Sequence, residues 1–229
     1  MENVTIIVPV KDEEVGLQYL IEDFKDSRVS NNYAVSFVFV IDERTSDDSR
    51  KFASELSHNI IDQKGSTGKG DAIRKAMEIL DLDQTKFVVF LDADGSYSFA
   101  SVAIVLNSLE NGSDVSSGSR FFNSKKKPTG MSSLHKFGNN LLSKISSIKN
   151  RRRITDLCTG LWGFTSESIG KLKIKSTGFD LEAEIAGLIT KKNLRHVEVG
   201  VEWNQRKGGE SKLKSFRDGF IILLRILRT

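Results

Sequence analysis

Apolar residues in the first half of the chain come in short continuous runs, separated by stretches of helical period. Residues 5–8, 35–41 and 86–91 read as buried strands, and 59–61 as a shorter one. Helical spacing covers residues 16–25, 47–56, 69–80 and 99–110 between them. Strands without polar alternation, each followed by a helix, predict parallel strands covered on both faces. Such an α/β sheet takes its ligands at the carboxyl ends of its strands. The rhythm breaks after Ser119. Residues 121–131 predict a loop, 132–148 a helix, 158–164 a strand, 179–190 a helix and 194–203 an alternating strand. A turn at 207–211 leads into a closing apolar-rich helix over 213–227. No repeat or Ser/Pro-rich linker marks a boundary, so residues 1–229 are expected to form one domain.

Composition agrees with a buried core. Of 229 residues, 38% are hydrophobic and 28% charged, which excludes disorder and fibrous repeats. The lone cysteine, Cys158, excludes an intramolecular disulfide framework and a cysteine-built metal site. Met1 is not followed by a basic-then-apolar leader, so a reducing, cytoplasmic setting is expected. Charge changes the picture more. The net value is only +4, yet residues 1–119 hold 11 Lys+Arg against 21 Asp+Glu, and residues 120–229 hold 23 against 9. From Arg120 to Arg153 there are ten basic residues and no acidic one. That polarity predicts an anionic partner for the second half: nucleic acid, a phosphorylated substrate or a membrane surface.

Asp92-Ala93-Asp94 directly follows the strand at 86–91. Residues two apart in a strand point the same way, so two carboxylates converge at its carboxyl end. Mg²⁺ or Mn²⁺ suits such ligands and shares its shell with water and phosphate. Gly65-Ser66-Thr67-Gly68-Lys69-Gly70 allows close backbone approach to an anion at a helix start. It fails the ATPase pattern, because Gly70 stands where a Ser or Thr would hold magnesium; Lys69 is left to serve a nucleotide or a neighbouring acid. Asp42 and Glu43 end the second strand, a usual place for a carboxylate that contacts ribose or base. His58, His135 and His196 form no ligand spacing; His135, in the basic stretch, is a candidate for an acceptor site.

In order along the chain, Pro9-Val10-Lys11-Asp12-Glu13, Asp42–Asp47, Gly68-Lys69-Gly70 and Asp92-Ala93-Asp94-Gly95 resemble family 2 glycosyltransferases of GT-A fold. Gly118-Ser119-Arg120, Asp156–Gly160, Glu198-Val199 and Arg206–Lys212 resemble the dolichol-phosphate mannose synthase group, which includes polyprenyl-phosphate glucosyltransferases. The resemblance runs from about Thr5 to Leu227. It implies a Rossmann-like, mostly parallel sheet with a nucleotide-sugar-binding half (1–119), an acceptor-side half (120–212) and a C-terminal amphipathic helix (213–229). It also implies a nucleotide-sugar donor, a divalent metal, and a polyprenyl-phosphate acceptor at the cytoplasmic membrane face. Pro9, Val10, Glu13, Asp42 and Lys69 would bind the donor, with Asp92 and Asp94 at the metal and diphosphate. Arg120, Arg206, Ser211 and Lys212, together with His135, would meet phosphates of donor or acceptor, and Asp156 with Asp94 would serve the reacting centre. The chain departs from the family where Lys11-Asp12 replaces Tyr-Asn, where Arg44 replaces a turn glycine, and where Ser96 replaces a metal-binding glutamine.

The expected chemistry is in-line displacement of a nucleoside diphosphate with inversion, the leaving charge stabilised by metal and by nearby Arg or Lys. An acceptor phosphate is already ionised, so a strong base is not required; Asp156 is expected as base or positioner, with Asp180, Glu182 and Glu184 as alternatives. Glu182 and Glu184 are also read as solvent-facing. In the closing helix, Leu213, Phe216, Phe220, Leu223, Leu224 and Leu227 form an apolar face opposite Lys214, Arg217, Asp218, Arg225 and Arg228. Its apolar run is too short to span a bilayer, so it lies in the membrane interface or packs on the domain. Two alternatives stand beside the lipid acceptor: a soluble sugar or phosphorylated acceptor, and a non-catalytic protein that binds nucleotide sugar or nucleic acid.

Overall fold

The computed structural model describes residues 1–57, 59–122, 128, 130–208 and 215–229. His58, Lys125-Lys126-Lys127, Ser211 and Lys212 lie outside the described residues. The elements in chain order are β1 (Glu2–Val10), α1 (Glu14–Asp26), α2 (Val29–Asn32), β2 (Tyr33–Asp42), α3 (Ser49–Leu56), β3 (Ile60–Gln63), α4 (Lys69–Ile79), β4 (Phe87–Leu91) and α5 (Phe99–Glu110). The second half adds β5 (Val115–Ser119), α6 (Ser133–Asn150), β6 (Leu161–Thr165), α7 (Ser166–Gly170), α8 (Leu181–Lys191), β7 (His196–Gly200) and α9 (Ser215–Arg228).

Among the described residues the strands form one seven-stranded sheet in the order β3-β2-β1-β4-β6-β5-β7. All neighbours are parallel except β6, which runs antiparallel to both β4 and β5. Strand alternation divides the core into two layers. Val4, Ile6, Val8, Phe37, Phe39, Val89 and Leu91 face α1 and α5, meeting Leu17, Phe99 and Val102. Ile7, Val38, Val40, Val88 and Phe90 face the other side, against Ile73 of α4 and Ile185 and Ile189 of α8. Burial on both faces explains the uninterrupted apolar runs.

A third, smaller cluster lies off the sheet, where Leu142 of α6, Ala183 and Ala186 of α8, and Ile222 and Ile226 of α9 meet. The closing helix therefore packs on the domain, through Ile222 and Ile226. Arg225, expected among solvated charges, instead reaches Asp180 at 2.7 Å and Glu184 at 3.5 Å. Phe216, Phe220 and Leu227 stay outside, 84%, 61% and 54% exposed. Glu182 and Glu184 are buried, not solvent-facing: the first turn of α8 sits beneath the 174–178 loop, and Glu184 accepts from the backbone of Lys175 and Ser176 at 2.9 and 2.7 Å.

Candidate active site

One cavity of about 1050 Å³ opens at the carboxyl ends of β1, β2 and β4. Pro9, Val10 and Glu13 enter from the end of β1, Asp42 and Arg44 from β2, and Asp92, Asp94 and Ser96 from β4. Lys69 comes from the start of α4, Arg120 from the end of β5, His135 from the first turn of α6, and Arg206 from the chain after β7. All the described residues expected to bind donor, metal or phosphate thus line a single space. Asp156 does not line it; it is buried behind Arg120.

Two cations hold the carboxylate pair. Lys69 Nζ lies 2.6 Å from Asp92 Oδ1 and 2.7 Å from Glu182 Oε1. Arg206 spans Glu13, at 2.8 Å, and Asp94, at 3.1 Å. Burial alone would pull the Lys69 ammonium down, but the charges of Asp92 and Glu182 hold it above the ordinary lysine range. For Glu182 the order is reversed: burial raises its carboxyl, and Lys69 only partly offsets the rise. The loop that delivers Lys69 is possible because Gly68 adopts φ +103 and a β-carbon there would strike the Thr177 carbonyl.

At the end of β2 Asp42 is saturated. It accepts from Arg44 Nε at 2.8 Å and Nη2 at 2.6 Å, from the Arg44 backbone at 3.0 Å, and from Thr67 Oγ1 at 2.8 Å. Although burial opposes ionisation, these bonds hold Asp42 below the usual carboxylate range. The half-exposed Arg44 guanidinium, occupying the family's glycine position, therefore forms part of the cavity lining beside Asp42.

On the opposite wall Asp156 grips Arg120. Nε and Nη2 of Arg120 donate to its two oxygens at 2.6 Å each, the Arg120 backbone adds a third bond at 3.0 Å, and Asn139 Nδ2 a fourth at 3.0 Å. Burial opposes the charge on Arg120, but Asp156 raises its pKa overall. With every acceptor site filled, Asp156 orients Arg120 and has no oxygen turned to the cavity. Cys158 does line the cavity, and burial pushes its thiol up to about 12, so it remains protonated.

The lining also has an apolar part: Leu134, Phe137 and Leu141 of α6 and Phe216, Phe220 and Leu223 of α9. A family model described as glycosyl transferase family 2 matches residues 5–172. The chain is a family 2 glycosyltransferase. It is 30% identical over 226 residues to glycosyltransferase AglJ of Haloferax volcanii, covering 98% of this chain and 71% of that one. It is 27% identical over 221 residues to a dolichol-phosphate mannosyltransferase of Pyrococcus furiosus, covering 92% and 59% respectively. The fold is similar to that of glucosyl-3-phosphoglycerate synthase from Mycobacterium tuberculosis, solved with Mn²⁺, UDP-glucose and phosphoglyceric acid. That likeness has a TM-score of 0.73 at 13% identity and covers 99% of this chain and 79% of the other. These GT-A relatives bear out the α/β architecture and the enzyme class.

Sequence reasoning missed four contributors to this enzyme's site. The motifs show Arg44 only as a departure and Gly160 only within a longer run, and they leave Asn139 and the apolar residues of α6 unmarked. Asn139 sits one turn from apolar positions of an ordinary-looking amphipathic helix, and nothing local marks its bond to Asp156, 17 residues away.

Proposed function

We propose that the enzyme transfers a hexose from a nucleoside-diphosphate sugar to a polyprenyl (dolichyl) phosphate at the cytoplasmic face of a membrane, inverting the anomeric centre. The observation that carries this reading is that one cavity is lined by the Asp92–Asp94 pair, by Arg120 and by apolar side chains of α6 and α9. A phosphate with a long apolar tail matches that combination of surfaces. The name of the P. furiosus relative supports the same acceptor class. Among the described residues no helix is long and apolar enough to cross a membrane. Exposed apolar side chains of α6 and α9, Phe137 and Phe220 among them, would supply the membrane contact.

Asp92 and Asp94 fit Mg²⁺ or Mn²⁺ in one specific sense. Both are hard oxygen donors on the cavity wall, and Gly160, lacking a β-carbon, lets the Asp92 carboxylate pack against its backbone. Among the described residues no three His, Cys, Asp or Glu side chains gather into a metal site, so phosphate and water would complete the shell. A cation bound there would supply Lewis-acid stabilisation to the leaving diphosphate. Lys69 and Arg206 add fixed positive charge beside the same carboxylates, and Glu13 keeps Arg206 aimed at Asp94. Arg120 would hold the acceptor phosphate. Its ionised oxygen forms the new C–O bond as the bond to the diphosphate breaks on the opposite face. No proton has to leave the acceptor, which agrees with an Asp156 committed to Arg120.

Thermal unfolding with UDP, GDP and their sugars, with and without Mn²⁺, tests the donor site. A metal-dependent rise in Tm that disappears in Asp94→Ala supports the reading. No rise with any nucleotide, in folded protein, sinks it. A soluble phosphorylated acceptor is the second reading, because Arg120 recognises the phosphate rather than the tail. Transfer to phosphoglyceric acid in preference to a polyprenyl phosphate would establish it.

A further inference from the structure

The segment from Thr155 to Gly160 carries the anchor of Arg120, yet it lies outside any helix or strand. Its backbone is held from the sheet edge instead. Glu198 stands on β7, opposite Ser117 in the parallel β5–β7 register, two residues before the end of that pairing. Its Oε2 accepts from Thr155 N at 2.8 Å and Thr155 Oγ1 at 2.9 Å, and its Oε1 from Thr155 N at 3.0 Å and Asp156 N at 3.2 Å. Thr155 Oγ1 also meets Ser119 Oγ at 2.6 Å, next to Arg120 in the chain. One carboxylate thereby ties two consecutive N–H groups of an irregular loop to the strand pair from which Arg120 emerges.

We propose that Glu198 is a positioning residue for acceptor-phosphate binding. It fixes the backbone of Asp156, and Asp156 in turn fixes the Arg120 guanidinium. Arg120 Nη2 is further committed to the Cys158 carbonyl at 2.8 Å, and among the described residues no partner meets its Nη1. The linkage leaves that one nitrogen for a ligand. None of these bonds reaches Asp92, Asp94 or Lys69; the loop meets Asp92 only at its far end, where the Gly160 carbonyl accepts from Asp92 N, four residues beyond Asp156. Glu198 therefore acts on the acceptor side of the cavity and leaves the donor side alone. The inference rests on the proposed reading of Arg120 as the group that binds the acceptor phosphate.

The test compares Glu198→Ala and Glu198→Gln in the full chain, using farnesyl phosphate in detergent micelles as the acceptor probe. Glu198→Ala should raise the acceptor KM at least tenfold, with kcat changed less than threefold. The isosteric Glu198→Gln keeps one acceptor oxygen and should recover most of that loss. Nucleotide-induced Tm shifts with Mn²⁺ should match wild type in both variants. Combining Glu198→Ala with Arg120→Lys should cost little more than Arg120→Lys alone, because both act through one guanidinium. Should Glu198→Ala fail to fold, Glu198→Gln decides alone, with an expected rise of two- to fourfold in the acceptor KM. An unchanged acceptor KM, a parallel loss of nucleotide binding, or full additivity with Arg120→Lys overturns the proposal while leaving the transferase reading intact. A wild-type protein that binds nucleotide but not farnesyl phosphate removes the reading of Arg120, and this inference with it.

Discussion

Gly160 faces the Asp92 carboxylate so closely that a β-carbon at position 160 would collide with Oδ2 and Cγ of Asp92. The backbone of the two residues is also joined, Asp92 N donating to the Gly160 carbonyl at 3.2 Å. The absence of a side chain just before β6 thus sets the position of a carboxylate just after β4. Gly160→Ala should displace Asp92 and abolish the Mn²⁺-dependent part of the nucleotide Tm shift, with activity falling tenfold or more. Circular dichroism should remain that of wild type. An alanine variant with normal metal response would show that the carboxylate has room elsewhere.

Lys69 joins Asp92, a third exposed, to Glu182 in a setting where Lys69 and Glu182 themselves are largely buried. Lys69→Met leaves two carboxylates facing each other without a cation, and such a break costs about 3–5 kcal/mol. Glu182, already raised by burial, should then hold its proton to higher pH. The double variant Lys69→Met/Glu182→Gln should regain part of the stability in urea unfolding. Failure to regain any would mean that the pair contributes little.

Asp156→Asn separates positioning from proton transfer. Replacing one acceptor oxygen with an amide opposite Arg120 should lower kcat/KM by about 10²-fold or more, on the scale of a lost charge-assisted pair. The shape of the pH–rate profile should be unchanged, since Asp156 is saturated by donors. Loss of a limb from that profile would return Asp156 to the role of general base.

Phe137 on α6 is 68% exposed and Phe220 on α9 is 61% exposed, and both line the cavity. Phe137→Asp/Phe220→Asp should abolish sedimentation with anionic lipid vesicles. Its stability should change by no more than about 0.5 kcal/mol per site, as expected for exposed positions. Vesicle binding that survives both changes would remove the membrane contact from these helices.

His196 predicts an acid limb of stability. Burial, with a smaller push from Arg152, depresses its pKa to about 3, whereas an unfolded histidine titrates near 6.5. The fold therefore binds fewer protons than the unfolded chain below pH 6.5. The neutral ring, stacked on Trp162 with centroids 5.5 Å apart, is fully stabilising above that pH. Stability should fall on acidification from 6.5 toward 5 with a slope approaching about 1.4 kcal/mol per pH unit. His196→Gln should flatten that slope; an equal slope in the variant would assign the protons to other groups.

The parts legible in the sequence were those with a local cause. β1, β2 and β4 announce themselves because burial on both faces removes polar residues from the run. β5 does not, being Val-Ser-Ser-Gly-Ser, fully buried yet polar; Ser117 is satisfied by His196 and Ser119 by Thr155, partners far along the chain. The antiparallel sense of β6 was equally hidden, since an apolar run reads the same in either direction. Among site residues, Asp92, Asp94, Lys69 and Glu13 carried motif information. The saturation of Asp42 by Arg44, and of Asp156 by Arg120, is a property of side-chain geometry that spacing does not encode.

The reversal of β6 has a topological meaning. A strand that runs against its neighbours begins where they end, so Leu161 pairs with Leu91 at the rim of the sheet. The loop before it, from Thr155 to Gly160, is thereby delivered to the rim that β1, β2 and β4 already share. Were β6 parallel, the same loop would enter at the far edge, displaced by the length of a five-residue strand, about 16 Å. A single change of chain direction lets the basic second half of the molecule close over the acidic first half, and makes one chamber from two stretches of sequence with opposite charge.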